Sequence, residues 1–156
     1  MKKLTLPVVV VLLVTMLLPL MAGCGGGRTA ISVADFVKAA EEKGLTVADT
    51  ADTYTDEIFQ SSRMATSPDG WKVVFFDIDS AEHAKTSFDT CKSFMESKMT
   101  GAGTSQITQR DNYALYSQTN GGRFMYVCYV DDTMVYVDVE DTHKSAVQDF
   151  VKSIGY

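Results

Sequence analysis

From Tyr113 to Val139 the chain leaves room only for tightly connected antiparallel strands. Two dipeptides with turn chemistry, Asn120-Gly121 and Asp131-Asp132, separate runs rich in β-branched and aromatic residues. Asn-Gly favours the type I′ turn, whose backbone twist matches that of the flanking strands. A two-residue connection is too short for a crossover, so the strands it joins are antiparallel. The spacing predicts strands over 105–109, 113–118, 122–130 and 133–139, with Asp111 and Asn112 turning the first pair.

A turn at Asp131 and Asp132 pairs Cys128 with Val135, and alternation then sorts the side chains. Phe124, Tyr126, Cys128 and Val130 share one face with Val135, Val137 and Val139. Met125, Val127, Tyr129, Met134 and Tyr136 share the other, joined by Ala114 and Tyr116. A sheet with one wet face would place polar residues there. Tyr and Met are instead types enriched at interfaces. The expectation is a ligand- or partner-binding face formed by Tyr116, Met125, Tyr129, Met134 and Tyr136; the alternative is a helix laid over it, giving three layers.

The first helix is predicted over 31–45: Ser32 is placed to cap it, Asp35 sits three residues on, and Gly44 suits its end. Residues 46–57 read mainly as a polar loop. Its acidic spacing matches no calcium loop and contains no glycine for the sharp turn such a loop uses. Strands over 58–66 and 71–78 flank Ser67-Pro68-Asp69-Gly70, where proline presets φ and glycine accepts a positive one. Trp71 is expected to be a core aromatic at a strand end. A second helix opens near Asp79, read as its cap, and runs to about residue 99. Its buried stripe is Ala84, Phe88, Cys91 and Met95. A third carries Val147, Phe150, Val151 and Ile154. The order is αββ(β)-αββββ-α, an α+β fold: a single antiparallel sheet with three packed helices. Asp-Phe-Val-Lys occurs at both 35–38 and 149–152, too short a match to argue for duplication.

Reactive groups are sparse. The two imidazoles, His83 and His143, fall in the first turns of helices, away from the apolar stripes. A zinc site takes three or four His or Cys ligands, more than this spacing gathers. No glycine-rich loop leads from a strand into a helix, so no cofactor is expected. Asp77 and Asp79 flank Ile78 and face one way if the strand continues, the one arrangement that suggests acid–base or metal chemistry. Cys91 and Cys128 are expected close together in the core, bonded or as two free thiols.

Upstream, Lys2 and Lys3 precede an apolar run over residues 4–22, which ends in Met21-Ala22-Gly23-Cys24 and three glycines. Charged start, apolar middle and small residues before a cut describe a secretory signal. The run is also long enough for a spanning helix, although Pro7 and Pro19 interrupt it. With the cysteine directly after the small pair, residues 1–27 resemble the signal of a bacterial lipoprotein. The resemblance implies cleavage before Cys24, a diacylglyceryl group on its sulfur, and a location at the cell membrane facing the extracytoplasmic side. Two acyl chains anchor a protein stably where one does not.

Cleavage would leave 133 residues, enough for one domain over 31–156, behind a flexible tether over 24–30. The mature chain would carry 12 basic against 20 acidic side chains, a poor match for nucleic acid. Three functions remain open. The first is a non-catalytic, lipid-anchored module that binds a protein or small ligand. The second is a substrate-capturing lipoprotein of a transporter, whose two-lobed form is larger than this chain. The third is a small hydrolytic enzyme using Asp77 and Asp79.

Overall fold

The computed structural model describes residues 27–156; the expected signal peptide, residues 1–23, and Cys24 lie outside them. The elements are α1 (Val33–Glu42), β1 (Thr46–Asp49), β2 (Phe59–Thr66), β3 (Lys72–Ile78), α2 (Ala81–Ser97), β4 (Thr104–Gln109), β5 (Tyr113–Asn120), β6 (Arg123–Val130), β7 (Thr133–Glu140) and α3 (Lys144–Ser153), the last entered through a short 3-10 turn. This is the expected α+β fold, a single antiparallel sheet packed by helices.

Local chemistry sets the boundaries. Ser32 Oγ accepts from the Asp35 amide at 3.1 Å and donates to the Asp35 carboxylate at 2.7 Å, which satisfies one of the open donors of α1. α2 is capped by Ser80, not by Asp79: Ser80 Oγ accepts from the His83 amide. The β5–β6 turn is centred on Gly121 and Gly122, with φ of 58° and 76°, and pairs Asn120 with Arg123. The expected turn lay one residue earlier. Moving both central residues by one changes the pairing by two positions, so every side chain keeps its face. Cys128 pairs with Val135 as the Asp131-Asp132 turn requires.

Seven strands lie in the order β1-β2-β3-β7-β6-β5-β4, each antiparallel to its neighbour. The stretch expected to be mainly loop contributes β1, an edge strand whose Asp49 binds Arg63 of β2 at 2.9 Å. β7 turns back against β3, pairing Phe75 with Val135 and Phe76 with Met134. That junction joins hairpin and meander, and it makes β3 a central strand covered on both faces, as its apolar residues at both parities demand.

Both faces are covered. α1 and α3 pack on Val73, Phe75, Phe124, Tyr126, Cys128 and Val135, and Trp71 takes its place in this core beside Phe150. α2 leaves the centre of the sheet at β3 and must deliver the chain to β4 at the far edge. It therefore crosses the other face, packing Ala84, Phe88 and Met95 on Val127, Tyr129 and Met134. Full burial of a side chain such as Phe88 contributes roughly 1.5–3 kcal/mol. The expected neighbours Cys91 and Cys128 consequently occupy different layers: Cys128 lies under α1 and α3, Cys91 on α2, and both are free thiols. Residues 27–30, the described part of the expected free tether, lie against the domain instead, with Arg28 bonded to Asn112 and Cys128.

Candidate functional site

α2 covers the β5 and β6 half of its face closely and the β2 side only in part. Beside it, where the face runs on toward β2, lies a cavity of about 540 Å³. Its floor is Phe76, Met134 and Tyr136, neighbours across the β3–β7 pairing. One wall comes from the segment between β1 and β2 and the start of β2. There Tyr54 stands edge-on to Phe76 with ring centroids 4.9 Å apart, and Phe59 tilts against the same ring at 4.9 Å. The opposite wall is a flank of α2: Thr86, Thr90 and Phe94 follow a four-residue interval, with Ser87 and Cys91 on the adjacent row.

The lining is mostly apolar. Thr86 and Thr90 already donate their hydroxyl protons to the carbonyls of Glu82 and Thr86, each at 3.0 Å. Asp56 contributes the one carboxylate among the lining residues, and its Oδ1 is engaged by the Ile58 amide. Burial, with Asp138 adding to it, pushes the Tyr136 phenol up to about 12. Burial also raises the Cys91 thiol. Both groups are neutral near pH 7, so the cavity presents rings, methyls, hydroxyls and sulfur, and its one carboxylate belongs to the exposed Asp56. Phe94, 49 % exposed, stands at its upper rim.

The face expected to be an open binding surface is divided by α2. Tyr116, Met125 and Tyr129 are buried beneath it, 4 %, 5 % and 6 % exposed. Tyr129 packs on Phe88, and the Tyr116 hydroxyl donates to Gln118, whose amide donates to the Met95 carbonyl. These are core residues, because the crossing from β3 to β4 needs the face they occupy. Met134 and Tyr136 line the cavity. Of the remaining lining, Cys91 was expected as a core thiol and not as a site residue, and Phe94 carried a signal: it is a large apolar residue one position off the buried stripe of α2.

The residues considered for catalysis do not assemble. Asp79 Oδ1 lies 2.5 Å from His83 Nδ1, and that hydrogen bond raises the imidazole's pKa. Asp77 has a different neighbour: burial, then the charge of Asp132, raises its carboxyl. His83 sits where α2 begins, at the end of β3, whereas His143 follows the end of β7, at the opposite end of the sheet. Among the described residues no three His, Cys, Asp or Glu side chains gather as metal ligands. No described helix is long and apolar enough to cross a membrane.

No family model matches the chain, and no characterised protein matches it in sequence. A solved structure does resemble it in fold: a GTP-binding regulator from Thermotoga maritima superposes with a TM-score of 0.51 at 16 % identity, covering 83 % of this chain and 89 % of the other. At that identity the likeness concerns the arrangement of helices and strands.

Proposed function

We propose that this chain is a non-catalytic, lipid-anchored binding module on the extracytoplasmic face of a bacterial cell membrane, and that the cavity beside α2 takes a small, uncharged apolar ligand. The observation that carries the ligand reading is the cavity itself. Its volume of about 540 Å³ falls in the range of small-molecule sites. Its rings, Met134 and Cys91 favour apolar surface. The engaged hydroxyls of Thr86 and Thr90 offer acceptor lone pairs on the helix wall, and Ser87 adds a hydroxyl there. An anionic ligand would lose hydration there and meet no cation among the lining residues. The anchor rests on Cys24 and the small residues before it, so it is a proposal from sequence.

Cys91 reports on the cavity. The test is alkylation of Cys91 by a maleimide in the presence of an apolar probe such as anilinonaphthalene sulfonamide. Protection of Cys91, with enhanced probe fluorescence that Tyr136→Ala and Phe59→Ala each abolish, supports the site. Unaltered alkylation at saturating probe refutes it. For the anchor, Cys24→Ser should leave unprocessed precursor in the source cell. Normal cleavage and unchanged membrane retention in that variant would sink the lipoprotein reading.

A further inference from the structure

Residues 27–30, the described part of the segment expected to be a loose tether, form a strap whose attachment is specific. The Arg28 amide donates to Asn112 Oδ1 at 3.3 Å, and Asn112 Nδ2 donates back to the Arg28 carbonyl at 2.6 Å. Asn112 reads the strap as a neighbouring strand would, through one donor and one acceptor of the main chain. Asn112 is itself held: its side chain donates to the Asp131 carboxylate at 3.2 Å, and its carbonyl accepts from the Asp131 amide at 2.8 Å.

The Arg28 side chain turns inward. Its guanidinium lies 4.5 Å from the centre of the Tyr113 ring and donates to Cys128 Sγ at 3.3 Å. An ion over an aromatic face is attracted most where water is excluded. Gly27 lies so close to Asn112 that a Cβ there would come within 3.0 Å of the amide oxygen. Thr29 runs past Gly155, and Tyr156 beside it bonds Thr133 at the start of β7. The strap thus meets Asn112, Tyr113, Cys128 and Gly155 at one end of the sheet: the end that carries the β4–β5 and β6–β7 turns.

We infer that this strap orients the domain on its membrane: the end bearing Asp111, Asn112, Asp131 and Asp132 is held against the lipid surface. The inference rests on the lipoprotein reading above. From Cys24 to Arg28 the chain spans at most about 14 Å fully extended. A lipid on Cys24 therefore keeps Asn112 within a short, bounded distance of the headgroups. Strands of eight residues, about 26 Å long, set the opposite end well away from them. There lie the turn at residues 67–70 and the turn at Gly121 and Gly122. The near end is acidic, so its own charge would not draw it to anionic lipid. Lipid and strap together hold the pose. The cavity beside α2 then opens at a bounded height above the bilayer.

The test uses the full lipoprotein extracted from membranes and reconstituted in phosphatidylcholine vesicles that contain a nitroxide-labelled lipid. In a Cys91→Ser background, a fluorophore is placed either at Asp111→Cys or at Asp69→Cys, on opposite ends of the sheet. Mass spectrometry of the N-terminal peptide establishes acylation of Cys24 independently. The expected result is several-fold stronger quenching at position 111 than at 69. Combined Arg28→Ala and Asn112→Ala should bring the two positions together while acylation persists. Equal quenching in the parent protein, with Cys24 acylated, overturns the strap inference and leaves the lipoprotein reading standing. An unacylated Cys24 overturns both, since a strap without an anchor orients nothing.

Discussion

Phe88 stands edge-on to Tyr129 with ring centroids 5.4 Å apart, and this contact seats α2 on the sheet. Aromatic pairs in this geometry add to the area they bury. Because α2 is also one wall of the cavity, Phe88 sets how far that wall stands from its floor. Phe88→Ala should lower the unfolding free energy by about 3–5 kcal/mol, as large-to-small core changes do. Urea denaturation measures it. A loss under 1 kcal/mol would mean that α2 does not cover Tyr129.

The two thiols should behave as independent groups. Burial pushes Cys128 up to about 11, and it also raises Cys91, which is only partly buried on the flank of α2. Thiolates, not thiols, react. At pH 7.5 the folded protein should therefore alkylate slowly at Cys91 and not at Cys128, and both should react once the chain is unfolded. Oxidant should produce no intramolecular disulfide, because the sheet separates the two side chains. A monomer with a Cys91–Cys128 bond, found by non-reducing peptide mapping, would contradict the layer assignment.

Alkaline pH should unfold the domain through its buried phenols. Tyr136 and Tyr156 are each pushed from 10.0 to about 12 by burial, and Tyr129 is raised in the same direction. In the unfolded chain these phenols ionise near 10, so above that pH the folded state binds more protons than the unfolded state. The stability they contribute is complete below pH 10 and is lost as the pH rises toward 12. Tyrosinate absorbance near 295 nm, followed with far-ultraviolet dichroism, should show late ionisation that coincides with unfolding. Full ionisation near pH 10 with the fold intact would contradict the burial of these groups.

The β5–β6 turn should tolerate side chains only at a backbone cost. Gly122 has φ of +76°, and a Cβ built there would meet nothing within 4 Å. Gly122→Ala should thus cost roughly 1–2 kcal/mol, the penalty of the left-handed region for an L-residue. Gly122→Asn should cost less, since asparagine visits that region more readily. Thermal denaturation of the pair decides it: equal losses would point to a steric cause that the open surroundings of Gly122 do not provide.

The sequence by itself determined what depends on neighbours along the chain. Ser32 and Gly44 bounded the first helix, proline and glycine at residues 68 and 70 turned the first hairpin, and Asp131-Asp132 set the pairing of Cys128 with Val135. Alternation then assigned each strand residue to a face, and a turn misplaced by one residue left those faces unchanged. Apolar residues at both parities of β3 indicated that both its faces want cover, while those on the second face of β6 suggested an open binding face, with a covering helix as the alternative. They did not say which helix covers which. That choice belongs to the tertiary structure, because it follows from β7 pairing with β3 and from α2 having to cross from the sheet's centre to its far edge. Those two long-range facts separated Cys91 from Cys128, buried Tyr129 under Phe88 and left a cavity where α2 ends and Tyr54 begins. The docking of Arg28 on Asn112 and Tyr113 was equally invisible, since a glycine-rich stretch carries no periodicity, and only the folded surface supplies the ring and the amide that hold it.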